Sequence, residues 1–124
     1  MDTRPWRLPL PPGISWFEVD QKDVLTAKRA ELAAAGVQLQ GSMQYNRQSQ
    51  QQQQQKVEMG KQQVYQYPLQ ASSWATVAAD LQKPGWTEQL LQQGFRTDVP
   101  TIWVAEGLLY YLKPSTVTPL LQVR

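Results

Sequence analysis

Three carboxylates stand where apolar runs end. Asp20 closes SWFEVD, Asp80 closes ATVAAD, and Glu106 interrupts TIWVAE. The chain has no histidine and no cysteine, which removes imidazole bases, thiolate nucleophiles, disulfides and the usual zinc ligands together. Any chemistry therefore falls to carboxylates, hydroxyls, backbone groups or a bound cofactor. In an open parallel α/β sheet, ligands sit outside the carboxyl ends of the strands, and an acidic residue there can accept from both hydroxyls of a ribose. A row of such residues suits a nucleoside-bearing ligand. The same groups have plainer uses. Asp20, with Asp23 three residues on, also reads as a helix N-cap, and Asp80 and Glu106 also read as ordinary polar strand ends.

The elements that must position these groups alternate. DTRPWRLPLPPG carries Pro9, Pro11, Pro12 and Gly13, which forbid a regular helix and force an extended passage and a turn. ISWFEVD follows, its Ile14, Trp16, Phe17 and Val19 fitting a buried strand. QKDVLTAKRAELAAAG is rich in helix formers, with Val24, Leu25 and Leu32 as an apolar stripe and Gly36 as a left-handed stop. ATVAADL, residues 75 to 81, reads as a second strand. GWTEQLLQQGF reads as a helix capped by Thr87, with Leu90 and Leu91 buried and Gly94 as its stop. TIWVA, residues 101 to 105, reads as a third strand. KPSTVTPLLQVR reads as a last helix capped by Ser115, placing Pro119 among the first four residues, whose N–H groups lack intrahelical partners. Strand and helix in alternation predict βαβ units with the three strands parallel in one sheet.

Between Gln38 and Gln66 stand 13 glutamines, six of them unbroken from Gln50 to Gln55. So little apolar surface cannot offset chain entropy, and residues 38–67 are expected to be a low-complexity insertion between ordered stretches at 1–37 and 68–124. The 124 residues, 41% hydrophobic, supply one small core at most. Twelve basic against ten acidic residues leave a net charge of +2, which argues for neither nucleic acid nor an anionic membrane as partner. No run of 18 apolar residues and no signal-peptide core is present, so the expected setting is soluble and cytoplasmic. Trp6, Trp16, Trp74, Trp86 and Trp103 sit beside apolar neighbours and are expected in the core rather than along a binding stripe.

DTRPWRLPLPPGISWFEVDQ, VAADL and IWVAEGLLYYL, in that order, closely resemble the leucine carboxyl methyltransferase family, in particular its branch related to polyketide O-methyltransferases. Family members typically show G-x-DTR, R-L-x-x-P-x-G, F-E-x-D-Q, V-D-L and A-E-G-L-x-x-Y-L. The resemblance implies a Rossmann-like class I fold, S-adenosyl-L-methionine as cofactor and a small carboxylate or hydroxyl as methyl acceptor. By the same resemblance Asp20 binds the ribose hydroxyls, Asp80 and Leu81 contact the adenine, and Glu106 lines the pocket near the methionine portion. Asp2, Thr3 and Arg4 match the tail of the glycine loop without an individual role. No metal and no catalytic side chain are implied. Transfer to a carboxylate needs little acid–base help, because the sulfonium is already electrophilic and positioning supplies much of the acceleration.

The departures are large. The glycines before DTR, the strand before them, the helical cover of the substrate and the later strands of the family pattern have no counterpart in these 124 residues. The expectation is a partial methyltransferase domain that binds the cofactor poorly and is inactive alone. The alternative is a non-catalytic remnant or interaction protein of methyltransferase origin. Acceptor identity and oligomeric state have no signal here.

Overall fold

The computed structural model describes residues 1–39 and 64–122. The elements run α1 (Arg4–Arg7), β1 (Ser15–Asp20), α2 (Lys22–Ala34), β2 (Ser73–Ala78), α3 (Trp86–Gln92), a 3-10 turn (Leu109–Tyr111) and α4 (Pro114–Leu121). β1 and β2 are hydrogen-bonded neighbours. The Ser72 N–H donates to the Ile14 carbonyl at 2.8 Å and the Ala79 N–H to the Asp20 carbonyl at 2.9 Å, so the two strands advance together and the pair is parallel. The architecture is mixed α/β, as the alternation predicts. Most of the Gln-rich segment, residues 40–63, lies outside the described residues. Its flanks are tied by a parallel bridge between Val37 and Tyr67.

The described residues fall into two compact units, Met1–Trp16 with Ala27–Trp74, and Phe17–Thr26 with Ala75–Arg124. In the first, Trp6, Leu32, Val37 and Trp74 form the core, with Trp16, Leu39 and Leu69 packed on it. The Trp6 and Trp74 rings meet edge to face at 5.0 Å, and the Trp6 indole N–H donates to the Gln38 carbonyl at 2.7 Å. Lys28, only 7% exposed, brings its ammonium to 5.9 Å from the Trp6 ring and 5.8 Å from the Trp74 ring. Cation–π attraction thereby offsets part of the cost of burying the charge. α1 departs from the expectation of a purely extended N-terminus. Pro5 supplies a φ suited to a first turn, and the Asp2 carboxylate accepts the Arg4 N–H at 3.0 Å. Burial raises the pKa of Asp2, but hydrogen bonds from Arg4 and the charges of Arg4 and Lys28 outweigh it, leaving the carboxyl below its ordinary range.

In the second unit Val77, Trp86 and Leu90 are buried, with Phe17, Val19, Ala79, Leu81, Phe95 and Leu120 packed against them. Gly94, at φ +93°, follows α3 as the expected left-handed stop, and Gly36, at φ +75°, follows α2 in the same way. Three expectations fail here. TIWVA forms no strand: Ile102 is 90% exposed and Val104 and half of Trp103 face outward. Strand propensity is a fit to a pleated, half-buried surface, and among the described residues no third strand offers this run a ladder. α3 is capped by Gly85, at φ +99°, rather than by Thr87, because the buried Trp86 draws the helix start back toward the core. α4 is capped by Lys113 with Pro114 in its first turn, not by Ser115, so Pro119 lies inside the helix, which ends two residues later at Leu121. Val24 and Leu91 are exposed, narrowing the predicted apolar stripes to Leu25, Leu32 and Leu90. No helix among the described residues is long and apolar enough to cross a membrane.

Candidate functional site

The second unit carries all four sequence-predicted site residues. β1 ends at Asp20, and the hydrogen bond from the Ala79 N–H to the Asp20 carbonyl places the residue before Asp80 directly beside it. Asp20 and Asp80 therefore share the carboxyl edge of the parallel pair. Parallel register explains this: two strands that start together also end together.

The two carboxylates are engaged differently. Asp20 is exposed, and its Oδ1 accepts the N–H of Gln21 at 2.7 Å. The first helical bond of α2 runs from the Leu25 N–H to the Gln21 carbonyl, so Gln21 occupies the cap position. Asp20 stands one residue outside the helix and does not make the cap bond that the sequence allowed. Asp80 is half-buried and shapes the loop after β2. Its Oδ1 accepts the Gln82 N–H at 2.9 Å, its carbonyl accepts the Lys83 N–H at 2.9 Å, and the Lys83 ammonium lies 3.7 Å from Oδ2. That is an Asx turn, the local bond by which aspartate competes with regular structure.

Leu81 follows, packed on the Val77–Trp86–Leu90 cluster. It lines an open groove of about 270 Å³ together with Gln82, Lys83, Pro84, Trp86, Ser115, Thr116, Pro119 and Leu120. The α4 contribution to this groove carried no signal in the sequence, because nothing in PSTVTPLL announces which loop its first turn will face. Glu106 lies apart from any strand end. It is exposed in the irregular segment before the 3-10 turn, next to Gly107 at φ +63°. The structure thus groups Asp20, Asp80 and Leu81 by strand register and loop, and leaves Glu106 placed by neither.

Trp103 is the anchored residue of the TIWVA run. Its ring meets Trp86 edge to face at 6.2 Å and Phe95 at 5.5 Å, and Phe95 in turn meets Phe17 of β1 at 5.6 Å. No group of three or more metal-ligating side chains occurs among the described residues.

A sequence profile described as leucine carboxyl methyltransferase matches residues 1–123. The chain is also similar to curated proteins that bear the name "Putative S-adenosyl-L-methionine-dependent methyltransferase". It is 33% identical over 121 residues to one from Mycolicibacterium gilvum (strain PYR-GCK), covering 98% of this chain and 29% of the relative. It is 34% identical to one from Mycolicibacterium vanbaalenii, with the same coverage, and 35% identical to one from Saccharopolyspora erythraea, of which 31% is covered. The chain spans about three tenths of the length of these relatives. No solved structure matches it.

Proposed function

Because the chain belongs to the leucine carboxyl methyltransferase family, we propose that it carries part of an S-adenosyl-L-methionine-dependent methyltransferase site, acting on an oxygen of a small carboxylate or hydroxyl acceptor. The observation that carries the reading is the state of Asp20. It ends β1 at the carboxyl edge, exposed, outside the cap position of α2, and among the described residues only the Gln21 N–H is bonded to its carboxylate. A carboxylate so placed has an oxygen available for a pair of vicinal hydroxyls.

The residues present fit the cofactor's chemistry. Asp20 would hold the ribose. Asp80 and Leu81 would meet the adenine, Leu81 through its apolar side chain and Asp80 as acceptor for the exocyclic amine. Glu106 would lie toward the methionine portion. Bound S-adenosylmethionine supplies an electrophilic methyl group on a sulfonium, so the protein's part is binding, orientation and exclusion of water. No side chain is assigned as a general base. The test is calorimetric or NMR titration of S-adenosylmethionine into a chain extended to the length of its relatives and into the Asp20→Ala variant of that extended chain. The variant should bind about 10- to 100-fold more weakly, the loss of hydrogen bonds to a charged acceptor. Equal affinity in a folded variant would remove Asp20 from the site.

A further inference from the structure

Residues 101–105 have the composition of a strand but, among the described residues, no ladder. We propose that this run is a pairing edge for a second copy of this chain, the two TIWVA segments lying antiparallel about a two-fold axis with Trp103 at the centre.

The backbone supplies the first argument. Among the described residues no hydrogen bond is made by the N–H or carbonyl groups of Ile102, Trp103, Val104 or Ala105. Unpaired groups along a β-prone run are a template for another strand. The side chains already alternate. Trp103 is turned toward Trp86 and Phe95, at 6.2 and 5.5 Å between ring centres, while Ile102 before it is 90% exposed and Val104 after it 56% exposed. That period of two belongs to a strand with one face held and one face open.

Size supplies the second. Apolar exposure continues past the run into the 3-10 turn, where Tyr110 is 96% and Tyr111 83% exposed. With Ile102, Val104 and the outer half of Trp103, these side chains offer roughly 600 Å² per copy. Two such faces reach the total of about 1,200 Å² at which specific interfaces begin.

Charge selects the occupant. Residues 99–105 carry no charge, and Glu106 is the one charged residue from Val99 to Leu112. A partner recognised by its charge finds little to pair with here, whereas an uncharged run meets itself without like charges facing. The two-fold also matches the residues. With Trp103 opposite its counterpart, Ile102 faces the partner's Val104 and Val104 faces the partner's Ile102, so each outward aliphatic side chain meets another. Pro100 lacks a donor at one end and Glu106 brings a charge at the other, which bounds the ladder to the run between them.

The experiment is sedimentation velocity on the 124-residue chain over a range of concentrations. Wild type should pass from monomer to dimer and stop there. Ile102→Lys and Val104→Glu should each weaken the pair about 100-fold, about tenfold at each of two symmetric places. Circular dichroism should not change, because both side chains face water in the monomer. An equimolar mixture of the two variants should recover dimers of one copy each, since the antiparallel register sets the new cation against the new carboxylate. A wild-type chain that is monomeric throughout, or dimers indifferent to Ile102→Lys, would overturn the proposal. So would growth past the dimer, which marks open-ended association, and a mixture that stays monomeric, which marks a different register. A chain extended to the length of its relatives tests the other occupant. If it is monomeric and Ile102→Lys lowers its urea midpoint, the run is covered from within and the second copy is excluded. None of these outcomes involves S-adenosylmethionine, so the cofactor reading stands or falls separately.

Discussion

Replacing Leu90 and Leu91 by alanine, one at a time, measures how the second unit is held together. The two are adjacent on α3 and chemically identical, yet Leu90 is 2% exposed and Leu91 is 49% exposed. Alanine and leucine have similar helix propensity, so the substitutions differ mainly in what surrounds the side chain. At Leu90 the lost methyl groups leave a cavity among Val77, Trp86 and their partners, and buried Leu→Ala changes cost about 2–5 kcal/mol. At Leu91 no enclosed cavity forms. Only about half of the side chain leaves water on folding, so the transfer loss is about 1 kcal/mol, half of what full burial yields. Urea unfolding followed by tryptophan fluorescence reads the difference, since Trp86 lies in the same cluster. With slopes of about 1–3 kcal/mol/M, Leu90→Ala should lower the midpoint by roughly 1 M or more, and Leu91→Ala by well under that. Complete loss of a cooperative transition counts as the larger effect. Equal shifts, or a larger shift for Leu91→Ala, would show that α3 is rotated from the phase described.

Asp20→Ala should leave the urea midpoint almost unchanged while weakening S-adenosylmethionine binding, because its bond to the Gln21 N–H is exposed and Gln21, not Asp20, caps α2. A large stability loss would return Asp20 to a structural role. Asp2→Asn should destabilise the chain near pH 6 by under about 1 kcal/mol, as for other partly exposed ion pairs. Its folded pKa is lowered from 3.8, so its stabilisation is present above that value and lost as pH falls through the folded one. The wild-type and Asp2→Asn thermal midpoints should converge in stronger acid, and a difference persisting there would contradict the Arg4 pairing. Gly36→Ala should cost about 1–2 kcal/mol, since φ is +75° and an added Cβ would stand 3.4 Å from the Gln66 Cβ. Gly36→Asn should cost less, and equal costs in thermal unfolding would argue against a left-handed residue there.

β1 was legible where expected, and β2 was legible as a strand but not in its bounds: it runs Ser73–Ala78 rather than 75 to 81, because its ladder with β1 starts beside Ile14 and ends beside Asp20, leaving Asp80 in the following loop. Gly36 and Gly94 were legible because a left-handed stop is a property of one residue. TIWVA was not, since its residues state a preference while a strand is a relation between two segments. The caps of α3 and α4 were misread for a related reason. Thr87 and Ser115 are good capping residues in isolation, but burial of Trp86 and the fixed φ of Pro114 decided where the helices begin. As candidates, Asp20 and Asp80 were legible as the ends of apolar runs, whereas Leu81 entered only through the family resemblance. Thr116 was legible in neither way, because its place in the groove depends on Leu120 docking on a core drawn from three other elements.

The bridge between Val37 and Tyr67 also bears on how this gene can vary. The Gln38 N–H donates to the Tyr67 carbonyl at 3.0 Å, and the Gln38 side chain accepts the Leu69 N–H at the same distance, so both ends of the glutamine segment are fastened to the first unit. Closing a longer chain between fixed anchors costs only logarithmically more, about 0.6 kcal/mol for each doubling of its length. Closure therefore places little restraint on repeat number. Glutamines added between Gln38 and Gln66 would change the closure cost borne by the two anchors only slightly.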